Sequence, residues 1–220
     1  GDASGISGGL TATMSATATA AVTGSSAADK ITTGVALTTG SVDAGAGTDT
    51  LIQAATAHIN STTLGAKYTN FEILQANDGV AVDMDNYTGS TITAVNVLDA
   101  GAGVTVTDMT ATQGGAVTIL GAGGGTVSLD ITGDETVGQI DTLTILVSDG
   151  DTTTSENIGT FALTTTSDET LAFTATDDLT ISSMAASTGI TSLTVAGAGN
   201  ASITTGAMAV ITNLAFDFSA

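Results

Sequence analysis

Short runs of β-branched and small apolar residues, each broken by Gly or Asp, are the feature that most restricts what this chain can fold into. Runs of four to eight such residues at this spacing predict strands and an all-β fold. Proline is absent and only 3% of the residues are aromatic, so Gly, Asn, Asp and Ser must form the turns. The predicted strands include residues 91–98, 104–107, 116–120, 142–147, 179–181, 192–195 and 201–204.

An internal repeat indicates how these strands are arranged. The pentapeptide Asp-Ala-Gly-Ala-Gly occurs at residues 43–47 and 99–103, and Gly-Ala-Gly recurs at 121–123 and 197–199. A short apolar run follows each copy. Stacked strand-turn-strand units of this kind predict a β-solenoid, either a parallel β-helix or a β-roll. The copies are unevenly spaced, so we expect irregular rungs, and a β-sandwich in the second half is the alternative.

The organisation of the chain follows from the same pattern. We expect residues 1–220 to form a single β-rich segment, with a weak internal division near residues 110–135. The chain begins at Gly1 without an initiator Met or a signal peptide. This favours a piece of a longer protein or a processed product.

The charge of the chain excludes several classes of partner. Two Lys, no Arg and 22 acidic residues give a net charge of −20. Binding to nucleic acid needs basic residues that neutralise phosphates, and attachment to an anionic membrane needs them too. No apolar stretch is long enough for a membrane-spanning helix. We therefore expect neither nucleic-acid binding nor a membrane span.

One segment carries a resemblance to a known family. Residues 42–51, Val-Asp-Ala-Gly-Ala-Gly-Thr-Asp-Thr-Leu, resemble the RTX nonapeptide, in which Gly and Asp turns of a parallel β-roll bind calcium. Residues 28–32, the Gly-Thr-Asp-Thr-Leu turn at 47–51 and the strand-like residues 68–74 are together similar to Gram-negative surface-layer proteins. The resemblance extends over residues 24–220. It implies a secreted, calcium-dependent β-solenoid at the bacterial cell surface.

The resemblance and the chemistry of calcium select candidate ligands. Calcium takes six to eight oxygens from carboxylates and backbone carbonyls. The first predicted site combines Asp43 and Asp49 with Asp29 from an adjacent rung, and with the turn glycines Gly45 and Gly47. The second pairs Asp99 with Asp108. The alternative is that Asp in these turns only caps strands by accepting hydrogen bonds from nearby amides.

Nothing in the sequence recommends an enzyme. His58 is the only histidine and Cys is absent, so no nucleophile motif accompanies a base. We expect a structural cell-surface protein that self-assembles, as a homo-oligomeric lattice or filament, into a calcium-dependent layer. Other regions would anchor it to a cell-surface polysaccharide. The alternative is a calcium-binding RTX-type adhesin or a ligand-binding β-module.

Overall fold

The computed structural model describes residues 1–132, 141–150, 157–165, 170–184, 187, 189–205 and 213–217. These residues form a β-solenoid, which confirms the predicted all-β fold. All strand pairs among them are parallel, in the second half as in the first, which is not the arrangement of a β-sandwich.

The strands are short, as the sequence predicts, with one long exception. They are β1 (Thr11–Thr13), β2 (Ala21–Thr23), β3 (Lys30–Thr32), β4 (Ser41–Asp43), β5 (Thr50–Gln53), β6 (Tyr68–Thr69), β7 (Ile73–Asn77), β8 (Ala81–Asp83), β9 (Ala94–Leu98), β10 (Val104–Met109), β11 (Val117–Ile131), β12 (Thr142–Val147), β13 (Asn157–Thr165), β14 (Thr170–Ala175), β15 (Asp178–Ser183), β16 (Ser192–Ala196), β17 (Ala201–Ile203) and β18 (Asn213–Asp217). The described helices are α1 (Thr62–Gly65), α2 (Ala111–Gly114) and the 3-10 helices Thr56–His58 and Met84–Asn86.

The strands stack into three parallel sheets, which we number. Sheet 1 has the order β1-β3-β5-β7-β9-β11-β12-β14-β16-β18, and sheet 2 contains β8, β10, the second half of β11, β13, β15 and β17. Sheet 3 contains β2, β4 and β6. Early rungs thus combine sheets 3 and 1, whereas later rungs combine sheets 1 and 2. We call the turns between sheets 3 and 1 corner 1, and those between sheets 1 and 2 corner 2.

Register is kept although the rungs differ in length. Thr11 pairs with Lys30, 19 positions later, whereas Thr142 pairs with Thr170, 28 positions later. The extra residues are accommodated in turns, so the alternation of inward and outward side chains survives in the strands. This explains why the repeat is irregular in sequence but regular in space.

One hydrophobic core runs through the described rungs. Inward side chains of β12 and β14 stack in register, with Leu143 beside Leu171 and Ile145 beside Phe173, and all are buried. Around residues 110–135, where the sequence suggested a weak division, β11 passes continuously from sheet 1 to sheet 2 as far as Ile131. None of the described helices is long and apolar enough to cross a membrane.

The buried side chain of Gln53 fixes the loop that follows β5. Gln53 is fully buried, and its amide donates to the carbonyl oxygens of Ala55 and Ile59 at 3.1 and 3.4 Å. The hydroxyl of Tyr87 donates to the Gln53 Oε1. Because these bonds satisfy a buried amide, they hold residues 55–59 against the rung.

Candidate functional site

Corner 1 carries a ladder of carboxylates that crosses the rungs. Leu10, Asp29, Asp49 and Glu72 each stand directly before a strand of sheet 1. The N–H of Leu10 donates to Asp29 Oδ1 at 2.6 Å, that of Asp29 to Asp49 Oδ1 at 2.7 Å, and that of Asp49 to Glu72 Oε2 at 2.9 Å. Each carboxylate therefore ties its own rung to the preceding one through a charge-assisted hydrogen bond.

Asp29 is the best satisfied member of the ladder. Its side chain is completely buried and also accepts the Ser25 hydroxyl at 2.7 Å and the Ser25 N–H at 2.6 Å. Burial alone would raise the pKa of Asp29, but the hydrogen bonds from Leu10 and Ser25 outweigh it and lower the pKa. Asp29 is therefore held as a carboxylate.

Asp49 differs from Asp29 in that one of its carboxylate oxygens has no hydrogen-bond partner. Its side chain is completely buried and Oδ1 is bonded to Asp29, but Oδ2 has no hydrogen-bond partner. Burial raises the pKa of Asp49, and the negative charges of Asp29 and Glu72 raise it further, although the bond from the Asp29 N–H acts in the opposite direction. A buried oxygen of this kind is stabilised by a proton or a cation.

Asp43 and Asp49, which the sequence analysis placed in one site, have different surroundings in the structure. Asp43 ends β4 on an exposed surface, where Oδ1 accepts the Gly45 N–H at 3.0 Å and the Asn70 amide at 2.7 Å. Asp49 lies at the other end of the turn, inside the corner. Gly45 and Gly47 form the turn with φ values of 95° and 149°, a backbone that favours glycine.

In corner 2, Asp99 is enclosed by backbone amides. Its Oδ1 accepts Gly101 and Gly103 N–H, both at 2.9 Å, and its Oδ2 accepts Gly123 and Gly125 N–H at 3.2 and 2.8 Å. These four bonds outweigh burial and lower the pKa of Asp99. They also use the acceptor capacity of a carboxylate, so Asp99 matches the strand-capping alternative better than a calcium ligand.

Asp108 does not join Asp99. Asp99 precedes β10, whereas Asp108 lies near the far end of that strand, at a shift in register and with φ of 59°. At about 3.3 Å per residue, the strand separates the two positions by more than 10 Å. The structure therefore does not bring the second predicted pair together.

The two corners differ in how well their carboxylates suit a calcium ion. No group of three Asp, Glu, His or Cys side chains suited to a metal ion is present in the described ranges. Asp99 is already saturated by amides. In corner 1, Asp49 offers a free oxygen beside Asp29, and a calcium ion there would take its remaining oxygens from backbone carbonyls and water.

Sequence reasoning left three carboxylates with related positions out of the candidate sites. Glu72 belongs to the ladder of corner 1, and the signal for it is its spacing from Asp49, which is 23 residues, close to one rung. Asp78 accepts the N–H groups of Ala100 and Ala102 in corner 2, both at 2.8 Å. Asp177, also in corner 2, accepts the Asp149 N–H and is buried with an unpartnered Oδ1.

Comparisons with known proteins add no family to this description. No protein-family model, no curated protein and no solved structure matches the chain.

Proposed function

We propose that this chain is a structural protein of the bacterial cell surface, which self-assembles into a calcium-dependent layer or filament. The observation that carries the proposal is the in-register stacking of sheet 1. Ten described strands follow one another there without an antiparallel step, which corresponds to roughly 45 Å of continuous parallel sheet. A stiff repeat of this kind suits a building block, since each rung supports only its neighbours.

The calcium dependence rests on corner 1. Asp49 Oδ2 is a buried carboxylate oxygen without a donor, next to the ionised Asp29. A divalent cation at this point would compensate the charge of both residues. The net charge of −20 also favours a dependence on calcium, because screening by cations lowers the electrostatic repulsion within the folded chain and between copies.

Export to the cell exterior is part of the proposal. A chain that is only marginally stable at low calcium would cross the envelope unfolded and reach its full stability outside, in millimolar calcium. The absence of Cys is compatible with this route, since no disulfide has to form.

Titration with calcium against EGTA tests the proposal. Circular dichroism follows folding and light scattering follows assembly, in the natural chain and in the variants Asp49→Asn and Asp85→Asn. Asp85 is an exposed control outside the ladder. The proposal expects both signals to rise together with calcium, with a loss of the response in Asp49→Asn only. Equal folding and dispersed monomers with and without calcium would contradict it.

A second candidate function is a ligand-binding β-module, and a pocket of about 260 Å³ beside β8 favours it. Electron microscopy of the purified chain with calcium distinguishes the two. Sheets or filaments support the structural role, whereas isolated particles that retain a ligand support the module.

A further inference from the structure

Residues of the loop 56–60 line the pocket beside β8 on one side. Sheet 2 begins at β8, which pairs with β10 on one side. On the other side, the hydroxyl oxygen of Thr56 accepts the N–H of Ala81 at 2.8 Å. The loop 56–60, which begins with the 3-10 helix Thr56–His58, therefore lies beside the edge strand β8 and forms one wall of the pocket. The bonds from Gln53 to the carbonyls of Ala55 and Ile59 hold this wall in place.

The pocket is lined by apolar and by polar residues. Its apolar lining, which we call the apolar floor, consists of Ala81 and the buried Ile59 and Val82. Its polar lining residues are Thr56, Asn60, Asp83, Asn86, Thr105 and Thr107.

Several of these polar side chains have no hydrogen-bond partner within the described part of the protein. Thr107 donates to the Val82 carbonyl oxygen at 3.4 Å, and Asp83 Oδ1 accepts the Asp85 N–H at 3.0 Å. Across the described part of the chain, the side chains of Asn60, Asn86 and Thr105 form no hydrogen bond. Two amides, a hydroxyl and a carboxylate oxygen thus border one cavity and are available to a ligand.

We propose that this pocket binds one ring of a neutral saccharide. Each sugar hydroxyl both donates and accepts, which matches amides and a hydroxyl that do the same and a carboxylate that accepts. The apolar floor suits the C–H face of a ring. A volume of about 260 Å³ lies below the range of about 300–1,000 Å³ for drug-sized ligands, so one ring is the fitting size.

The same residues disfavour other ligands. Asp83 is the one charged residue among the described lining residues, and the chain as a whole carries −20, so an anionic sugar would be repelled. Calcium is also less suited, since the single carboxylate of Asp83 compensates only half of its charge, whereas corner 1 offers two carboxylates. An added peptide strand would need the N–H of Ala81, which Thr56 already engages.

The inference gives the second candidate function a ligand class and does not depend on calcium or assembly. It is tested in EGTA, by saturation-transfer NMR with the methyl glycosides of glucose, galactose, mannose and N-acetylglucosamine, and with galacturonic acid as an anionic control. We expect millimolar binding of at least one neutral glycoside and none of galacturonic acid.

Three variants locate the binding. Asp83→Asn and Asn60→Ala change exposed side chains and should each weaken binding about tenfold, which corresponds to the loss of one good hydrogen bond. Thr144→Ala, on β12 of sheet 1, should leave binding unchanged. Failure of all four neutral glycosides to bind, or equal binding by the three variants, would overturn the proposal. Either result leaves the calcium titration, and with it the structural role, unaffected.

Discussion

The backbone N–H of Asp29 donates to Oδ1 of Asp49, 2.7 Å away and one rung later. The two carboxylates are both completely buried, yet their pKa values move in opposite directions, downward for Asp29 and upward for Asp49. The difference lies in the donors, since Asp29 receives three hydrogen bonds while Asp49 Oδ2 receives none. Whether a buried carboxylate stabilises the fold therefore depends on the hydrogen-bond donors that surround it.

Neutralising each of the two carboxylates should change stability in opposite directions. In EGTA at pH 7, Asp29→Asn loses a charge that three donors stabilise, and we expect a loss of about 2–4 kcal/mol in the free energy of unfolding. Asp49→Asn removes a charge without compensation and should stabilise the chain by about 1 kcal/mol. Urea unfolding, with an unchanged m-value, measures both effects.

The pH dependence of the two variants provides the control. A raised pKa means that the contribution of Asp49 is present below its unfolded pKa of about 3.9 and is lost as the pH rises through the folded pKa. The advantage of Asp49→Asn should therefore shrink in acid. The contribution of Asp29 is present above the unfolded pKa and is lost as the pH falls through the folded pKa. Equal effects of the two substitutions at pH 7 would refute the difference in donors.

The fold was predictable from sequence because its local signals agree. Residues 142–145 alternate polar and apolar side chains, and the structure continues this alternation by burying Leu143, Ile145 and Val147 while Leu146 is half-buried. The positions of the corners were less predictable. The Gly-Ala-Gly copy at residue 45 lies in corner 1, whereas those at 101, 121 and 197 lie in corner 2. The same motif thus occurs in both corners, so the distance in sequence between its copies does not equal the length of a rung.

Replacement of Asp99 by Asn should be among the most destabilising single changes at corner 2. The carboxylate collects four glycine N–H groups from two successive rungs, and an amide would present its own N–H to some of them. We expect a loss of about 3 kcal/mol, measured by urea unfolding. The exposed control Asp85→Asn should change stability by less than about 0.5 kcal/mol. A small effect of Asp99→Asn would mean that the glycine turns hold their shape without the carboxylate.

The candidate site was harder to predict than the fold, because the ligand groups depend on neighbours in space. Asp99 and Asp108 are close in sequence, but a strand carries them apart, whereas Asp29 and Asp49 are distant in sequence and hydrogen-bonded. Glu72 joins the same ladder from 23 residues further on. Short spacing alone favours the first pair, whereas the second was predicted only by assigning Asp29 to the rung adjacent to that of Asp49. Whole rungs have to be aligned before the ladder becomes visible.

His58 should make the chain less stable in mild acid. The hydroxyl oxygen of Thr33 accepts the Ala54 N–H at 3.0 Å and lies 2.8 Å from His58 Nδ1, which accepts the hydroxyl proton when the neutral ring carries its own proton on Nε2. Burial lowers the pKa of His58 because it disfavours the charged ring, and a protonated Nδ1 no longer accepts the Thr33 hydroxyl proton. Stability from the neutral ring is present above the unfolded pKa of about 6.5 and is lost as the pH falls through the folded pKa.

Urea midpoints at pH 7.5 and pH 5.5 measure this effect. The natural chain should lose more stability than His58→Gln over that interval, because the variant has no ring to protonate. A loss of the same size in both chains would assign the acid sensitivity to carboxylates instead.

Three glycines distinguish close packing of the rungs from backbone strain. Gly124 has φ of 97° and open space where a Cβ would lie, whereas a Cβ on Gly24, at an ordinary φ, would collide with the Ala44 carbonyl oxygen and with Asp29 Oδ2. Gly45 combines both conditions, since its φ is 95° and a Cβ would collide with the Ser25 carbonyl oxygen.

Gly124→Ala should lower the free energy of unfolding by about 1–2 kcal/mol, the usual penalty of a left-handed backbone. Gly24→Ala should cost about 3 kcal/mol, since neighbouring rungs must separate, and Gly45→Ala should cost the most. If Gly45→Ala and Gly124→Ala were equally destabilising in urea, the left-handed backbone alone would explain Gly45, and the Ser25 carbonyl oxygen would not add to the cost.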